Sequence, residues 1–296
     1  MDAIRLSPPR RLSLPVDNRW GAGTLSVLDF GDPKRPVDLV FVHANGFNAM
    51  TYRSLLAPLS GSLRIWAPDL RGHGLTSLPA EPKGRRGWTD HRDDLVSLLE
   101  AMDGPPVVLA GHSMGATSAL LAAAERPGAV SKLVMLDPVI WRRWTVLAFQ
   151  LPLLDRLASH IPLVKSARRR RAVFDSREQA MAAYAGRGAF RGWPEIMLAD
   201  YLADGLVETD EGLTLACPPE WEASNYAAQS HDPWLALERL DRPVTLLKAE
   251  AGSTCHVPVR PRGLPHVAVE TVHGGTHFFP MLKADIARDA LFDASV

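Results

Sequence analysis

Along this chain, short runs of consecutive apolar residues recur, separated by segments of helical or loop character. Strands are predicted near TLSVLDF (24–30), VDLVFVHA (37–44), LRIWAPD (63–69), PVVLAGH (106–112), KLVMLD (132–137), PVTLLKA (243–249) and HVAVETV (266–272). Each is a short, β-branched-rich run with the length and boundaries of an extended segment. Several are apolar at successive rather than alternate positions, which suits parallel strands covered on both faces. Helices are predicted around 48–60, 89–102, 114–125 and 281–292. The rhythm predicts an α/β fold, a mostly parallel central sheet flanked by helices.

Between Pro138 and Asp241 the rhythm stops. About a hundred residues follow with no convincing strand, rich in Trp, Arg and helix formers and punctuated by Pro152, Pro162, Pro194, Pro218, Pro219 and Pro233. This is too long for an ordinary loop. The predicted organisation is a core domain made of residues 1–138 and 241–296, interrupted by a mainly helical insertion over 139–240.

The chain has 296 residues, 46% of them hydrophobic, enough to bury a sizeable core. Lys plus Arg and Asp plus Glu each number 33, so nothing favours nucleic acid as a partner. The opening MDAIRLSPPRRLSLPVDN has no apolar run of signal-peptide length, and no later stretch approaches a membrane span. The expectation is a cytoplasmic protein with a small-molecule substrate and no membrane partner, its oligomeric state left open. Cys217 and Cys255 are too few for a disulfide framework and are expected as buried thiols. The histidines lack HExxH spacing, and no GxGxxG or Walker sequence is present, so neither a metal nor another cofactor is expected.

Candidate chemistry begins at Gly111-His112-Ser113-Met114-Gly115, a G-x-S-x-G between a predicted strand and a predicted helix. Small residues on both sides let a serine occupy a sharp strand-to-helix turn, and the helix N-terminus behind it offers free N–H groups to a developing oxyanion. A serine hydroxyl needs a base. His277, after the last strand in VHGGTHFFP, is favoured over His273 at the strand's end.

With these pieces in order, the chain resembles the α/β-hydrolase fold superfamily, as a serine hydrolase with a helical cap domain. The resemblance rests on His43-Ala44-Asn45-Gly46-Phe47 after one strand, Pro68-Asp69-Leu70-Arg71-Gly72-His73-Gly74 after the next, the serine turn and the late glycine-rich histidine loop. In that superfamily the acid commonly sits in a Gly-x-x-Asp turn before the histidine loop. Here Leu246 to Ser253 has glycine or serine where that aspartate would fall, leaving Glu250 nearby. Other members take the acid from the strand after the nucleophile helix, which here ends in Asp137. A carboxylate at a strand's C-terminal end lies where catalytic loops gather, which favours Asp137 over Glu250.

The resemblance further implies an oxyanion hole from the backbone N–H groups of Met114 and Asn45, with Phe47, His112 and Trp141 lining the substrate site. The PDLRGHG turn is read as architectural, and the run Arg168 to Arg171 as a solvated helical face. Of the insertion's Trp141, Trp144, Trp193, Trp221, Trp234, Phe149, Phe174 and Phe190, some are expected to face the pocket. The implied reaction is hydrolysis of a carboxylic ester, a lactone or a thioester through an acyl-enzyme. The alternatives are carbon–carbon bond hydrolysis or cofactor-free peroxidase chemistry on the same residues, or a slowly turning ligand receptor.

Overall fold

The computed structural model describes residues 8–151, 161–210 and 212–296. Its centre is an eight-stranded sheet of order β1-β2-β4-β3-β5-β6-β10-β11. The strands are β1 (Arg10–Asn18), β2 (Gly21–Phe30), β3 (Leu39–Val42), β4 (Ile65–Pro68), β5 (Val107–His112), β6 (Val130–Leu136), β10 (Val244–Ala251) and β11 (Val267–Thr276). β1 pairs antiparallel with β2 and β2 with β4, and from β4 to β11 every pairing is parallel. Every residue of β3 and β5 is buried, as expected for central strands covered on both faces. The fold is the α/β-hydrolase arrangement.

On the core side lie α1 (Arg53–Leu56), α2 (Thr89–Glu100), α3 (Met114–Glu125), α10 (Phe279–Leu282) and α11 (Ala284–Ser295). The segment predicted at 48–60 is three short turns in succession, Ala49–Tyr52, α1 and Ala57–Leu59, opened by a capping box at Asn48 and Thr51. α3 is buried from Met114 through Ala123 because its Gly, Ala and Thr side chains are small enough to sit tight against the sheet.

Between β6 and β10 the chain forms α4 (Arg143–Gln150), α5 (Pro162–Arg168), α6 (Arg177–Tyr184), α7 (Glu195–Gly205), α8 (Pro219–Ala227) and α9 (Pro233–Arg239). Here the structure corrects the sequence reading. A three-stranded antiparallel sheet, β7 (Val173–Phe174), β9 (Gly212–Leu215) and β8 (Leu206–Thr209), stands where no strand was expected. Strands of two to four residues are too short to display a period. β1 was missed as well. It is an edge strand, which tolerates Pro15 and half-exposed arginines that argue against a central strand.

Cys217 and Cys255 are both free and buried. Among the described residues, no helix is long and apolar enough to cross a membrane, and no cluster of His, Cys, Asp and Glu is arranged to hold a metal ion.

Candidate active site

Ser113 stands between the last residue of β5 and the first of α3, with φ 55° and ψ −122°. Among the described residues, the non-glycine residues with positive φ are Ser113 and Asp137, the latter at 42°. Such backbone conformations cost about 1–3 kcal/mol each and persist only where the surroundings dictate them. At Ser113 the surroundings are two close approaches. A Cβ at Gly111 would lie 2.7 Å from the backbone of Gly115 and Ala116, and one at Gly115 would run into the carbonyls of Val42 and His43. The two glycines therefore let α3 start against β3 and β5, and the bend leaves the serine side chain 3.0 Å from His277.

The contact is between Ser113 Oγ and His277 Nε2, and His277 Nδ1 lies 2.6 Å from Asp137 Oδ2. A carboxylate only accepts, so Nδ1 carries the proton and Nε2 presents its lone pair to the serine hydroxyl. Asp137 is fully buried. Oδ1 accepts from the Ala249 N–H (2.8 Å) and the Ser253 hydroxyl (2.5 Å), and Oδ2 also accepts from the Thr254 N–H (3.1 Å). Burial pushes its carboxyl pKa up, but the His277 hydrogen bond and charge and the Ser253 and Ala249 donors outweigh that and hold it below the usual range. The end of β10 and the stretch after it, where the resemblance leads one to look for an acid, instead supply donors to the acid just past β6.

Glu250, the other candidate, is exposed and serves a different histidine. Its two oxygens accept from His273 Nδ1 (3.1 Å) and the Gly274 N–H (2.7 Å). Each carboxylate thus finds one histidine, and only the Asp137 pair meets Ser113.

In the loop after β3, the backbone N–H groups are almost all engaged. Ala44 donates to the Tyr52 hydroxyl, Gly46 to His73 Nε2, Phe47 to the Ala44 carbonyl, Asn48 to Thr51 Oγ1 and Ala49 to Asp69 Oδ1. The N–H of Asn45 has no partner among the described residues, and neither has that of Met114 at the first turn of α3. Buried donors left open in this way are rare. The Asn45 side chain is elsewhere: its Nδ2 donates to the Glu222 carbonyl (3.0 Å) and its Oδ1 accepts from Asn225 Nδ2 (2.8 Å), both on α8. The PDLRGHG turn underlies the same loop, through His73 on Gly46, Asp69 on Ala49 and an Arg71–Asp94 ion pair with bonds of 2.7 and 2.9 Å.

One of the expected lining residues, His112, is placed otherwise. His112 is fully buried, with one ring nitrogen 2.7 Å from the Tyr52 hydroxyl and the other 2.8 Å from the His277 carbonyl, so it has no free face for a substrate. Trp141 is half-buried and bonds to Gln229 Oε1, with its ring stacked on His256. Phe47 meets Trp193, Phe190, Tyr201 and Phe278, with ring centroids 5.3 to 6.1 Å apart, and Phe278 in turn lies 5.2 Å from the His277 ring. Trp193, Phe190 and Tyr201 thus bring aromatics of the insertion to the group beside the histidine, while Trp144 is largely exposed.

Of the arginine run, Arg168, Arg169 and Arg171 are exposed as expected, and Arg170 departs. Arg170 is mostly buried, paired with Glu222 (2.5 Å) and bonded to the Tyr201 hydroxyl (2.8 Å), because those acceptors neutralise a charge that would otherwise need water. Sequence reasoning missed Ser253, Thr254, Tyr52 and Asn225. None carries a motif, since each acts on the site through a hydrogen bond to a residue distant in the chain.

A model of the alpha/beta hydrolase family matches residues 39–290. In sequence, the chain is 31% identical over 99 residues to the 2-(acetamidomethylene)succinate hydrolase of Mesorhizobium japonicum, covering 33% of this chain and 34% of that one. It is 35% identical over 115 residues to the monoglyceride lipase of Homo sapiens, covering 36% of each. These matches span about a third of the relatives' length. The solved structure of E-2-(acetamidomethylene)succinate hydrolase superposes on 96% of this chain and 98% of that one with a TM-score of 0.73 at 23% identity, a likeness of fold. With a family match that runs from β3 into α11, the chain belongs to the alpha/beta hydrolase family.

Proposed function

We propose that the protein is a serine hydrolase that cleaves carboxylic esters, lactones or thioesters included, through an acyl-enzyme on Ser113. One observation carries the reading: His277 bridges Ser113 Oγ (3.0 Å) and Asp137 Oδ2 (2.6 Å) with its two nitrogens. The bare Nε2 takes the hydroxyl proton as Oγ attacks the acyl carbon, and Asp137 stabilises the resulting imidazolium without itself becoming protonated. The oxyanion of the tetrahedral intermediate falls to the open N–H groups of Asn45 and Met114. His277 then returns the proton to the leaving alcohol or thiol. A water, deprotonated by the same nitrogen, attacks the acyl-enzyme and frees the acid.

Residues 139–240 act as a cap in this reading, since α8 holds the Asn45 side chain and Trp193 and Phe190 bring aromatic surface to Phe47. Phe47, Trp193 and Phe278 beside His277 favour an apolar acyl or alcohol group. Relatives named as hydrolase and lipase agree with the reaction class.

The test is Ser113→Ala with p-nitrophenyl esters of graded chain length and a fluorophosphonate probe. Wild type should turn over many times and take the label; the variant should do neither while keeping its fold. Undiminished labelling of Ser113→Ala refutes the nucleophile, and one equivalent of product followed by a stall refutes a hydrolase in favour of a receptor.

A further inference from the structure

His112 sits in the nucleophile turn but touches no substrate surface, and its hydrogen bonds run in one direction only. The His277 carbonyl, 2.8 Å away, can only accept, so His112 Nε2 carries the proton. Burial drives the His112 pKa down to about 3, with the nearby His277 adding to the effect, so the ring is neutral and its Nδ1 is bare. That nitrogen accepts from the Tyr52 hydroxyl at 2.7 Å. The hydroxyl oxygen in turn accepts the Ala44 N–H at 3.2 Å, since an amide only donates. The order is Ala44 N–H to Tyr52 O–H to His112 Nδ1, then His112 Nε2–H to the His277 carbonyl. With the protons reversed, the His277 carbonyl would face a lone pair.

Each end of this chain lands beside a reacting part. Ala44 precedes Asn45, whose N–H is the open donor of its loop. His112 precedes Ser113. The carbonyl at the far end belongs to His277 itself. We propose that Tyr52 and His112 form a strut that fixes the base loop against the oxyanion loop, and so are positioning residues for the hydrolysis at Ser113. The inference rests on the functional reading above. Tyr52 suits such a role because it is buried, its ring packs on Phe41 at 4.8 Å and on His112 at 6.0 Å, and its hydroxyl is its only polar side-chain atom.

Tyr52→Phe keeps the ring and removes the hydroxyl. A misplacement of about 1 Å at a reacting group costs up to about a hundredfold in rate, so kcat should fall about tenfold to a hundredfold with KM nearly unchanged, because the hydroxyl meets no substrate. Fluorophosphonate labelling of Ser113 should slow in parallel. In 15N spectra of histidine-labelled wild type, His112 should be the Nε2–H tautomer and should not titrate between about pH 5 and pH 8; Tyr52→Phe should lose that single tautomer. His112→Gln, which retains an N–H for the His277 carbonyl, should keep more of kcat than His112→Leu. Wild-type kcat and labelling in a folded Tyr52→Phe, or an Nδ1–H tautomer in the wild type, would overturn the strut and leave the functional reading standing. A wild type that neither labels at Ser113 nor hydrolyses esters would overturn the functional reading, and the strut as a positioning device with it.

Discussion

Asp137 is the residue whose chemistry the geometry constrains most. Its Oδ1 faces two donors, the Ala249 N–H and the Ser253 hydroxyl, while Oδ2 faces His277 and the Thr254 N–H. In Asp137→Asn the two donors at the Oδ1 position outnumber the single Thr254 N–H at Oδ2 and hold the amide oxygen on their side, which turns the NH2 towards His277 Nδ1. The histidine must then carry its proton on Nε2, aimed at Ser113, and can no longer accept the hydroxyl proton. Asparagine also tolerates the positive φ of this position, so the backbone stays in place. The expected result is a folded enzyme with kcat lower by about 10⁴, as wrong-tautomer substitutions produce; Glu250→Gln, which alters only the His273 and Gly274 contacts, should stay near wild type. Steady-state rates of the two variants check this, and a crippled Glu250→Gln beside an active Asp137→Asn would reverse the roles. At this scale the candidate serine and histidine were legible, since each lies in a short local pattern. Chain order could not choose between Asp137 and Glu250, since both precede the histidine, and only the strand-end position of Asp137 favoured it.

At the scale of elements, α8 ties the insertion to the core, most densely at Asn225. Asn225 is fully buried, donates to Asn45 Oδ1 and accepts from His91 Nε2 (3.0 Å) and from Arg85, while its carbonyl accepts from Trp88 Nε1 (3.0 Å). Asn225→Ala leaves the carboxamide of Asn45 half-paired and His91 Nε2 without an acceptor. Unsatisfied buried groups cost about 1–3 kcal/mol each, so a loss of roughly 2–4 kcal/mol in a urea unfolding curve is expected, together with a lower kcat as the Asn45 loop loosens. Unchanged stability and rate would show that α8 does not hold the loop. The central strands of the sheet were legible because burial on both faces makes them apolar throughout. β1 and the small sheet of β7, β8 and β9 were not, the first because an edge strand keeps its polar residues and the others because they are too short to show a period. The α8 contacts were invisible for a different reason: partners 134 to 180 residues apart in sequence leave no local trace.

At the scale of the whole molecule, the five histidines buried among the described residues make the fold sensitive to acid. Burial lowers the pKa of His43 to about 4 and of His112 and His231 to about 3, and lowers those of His73 and His91 as well. A proton would have nowhere to go on several of them. Leu70 already donates to His43 Nε2 and Gly46 to His73 Nε2, and Nδ1 of His91 and of His231 has no partner among the described residues. Unfolded histidines titrate near 6.5, so below that pH the unfolded chain binds more protons than the folded one. Stability is therefore complete above about pH 6.5 and is lost as pH falls towards the folded values. His43 alone contributes about 3 kcal/mol over that interval, at roughly 1.4 kcal/mol per pH unit. Asp69, Asp94 and Asp204 act in the opposite sense. Burial raises their pKa values, so the folded state takes up protons at those sites as the pH drops and offsets part of the loss. The urea midpoint should consequently decline most steeply between about pH 6.5 and pH 4, with a net proton uptake on unfolding smaller than five. A urea midpoint independent of pH across this window would mean that the buried histidines are not held neutral, and the single neutral tautomer assigned to His112 would have to be withdrawn with it.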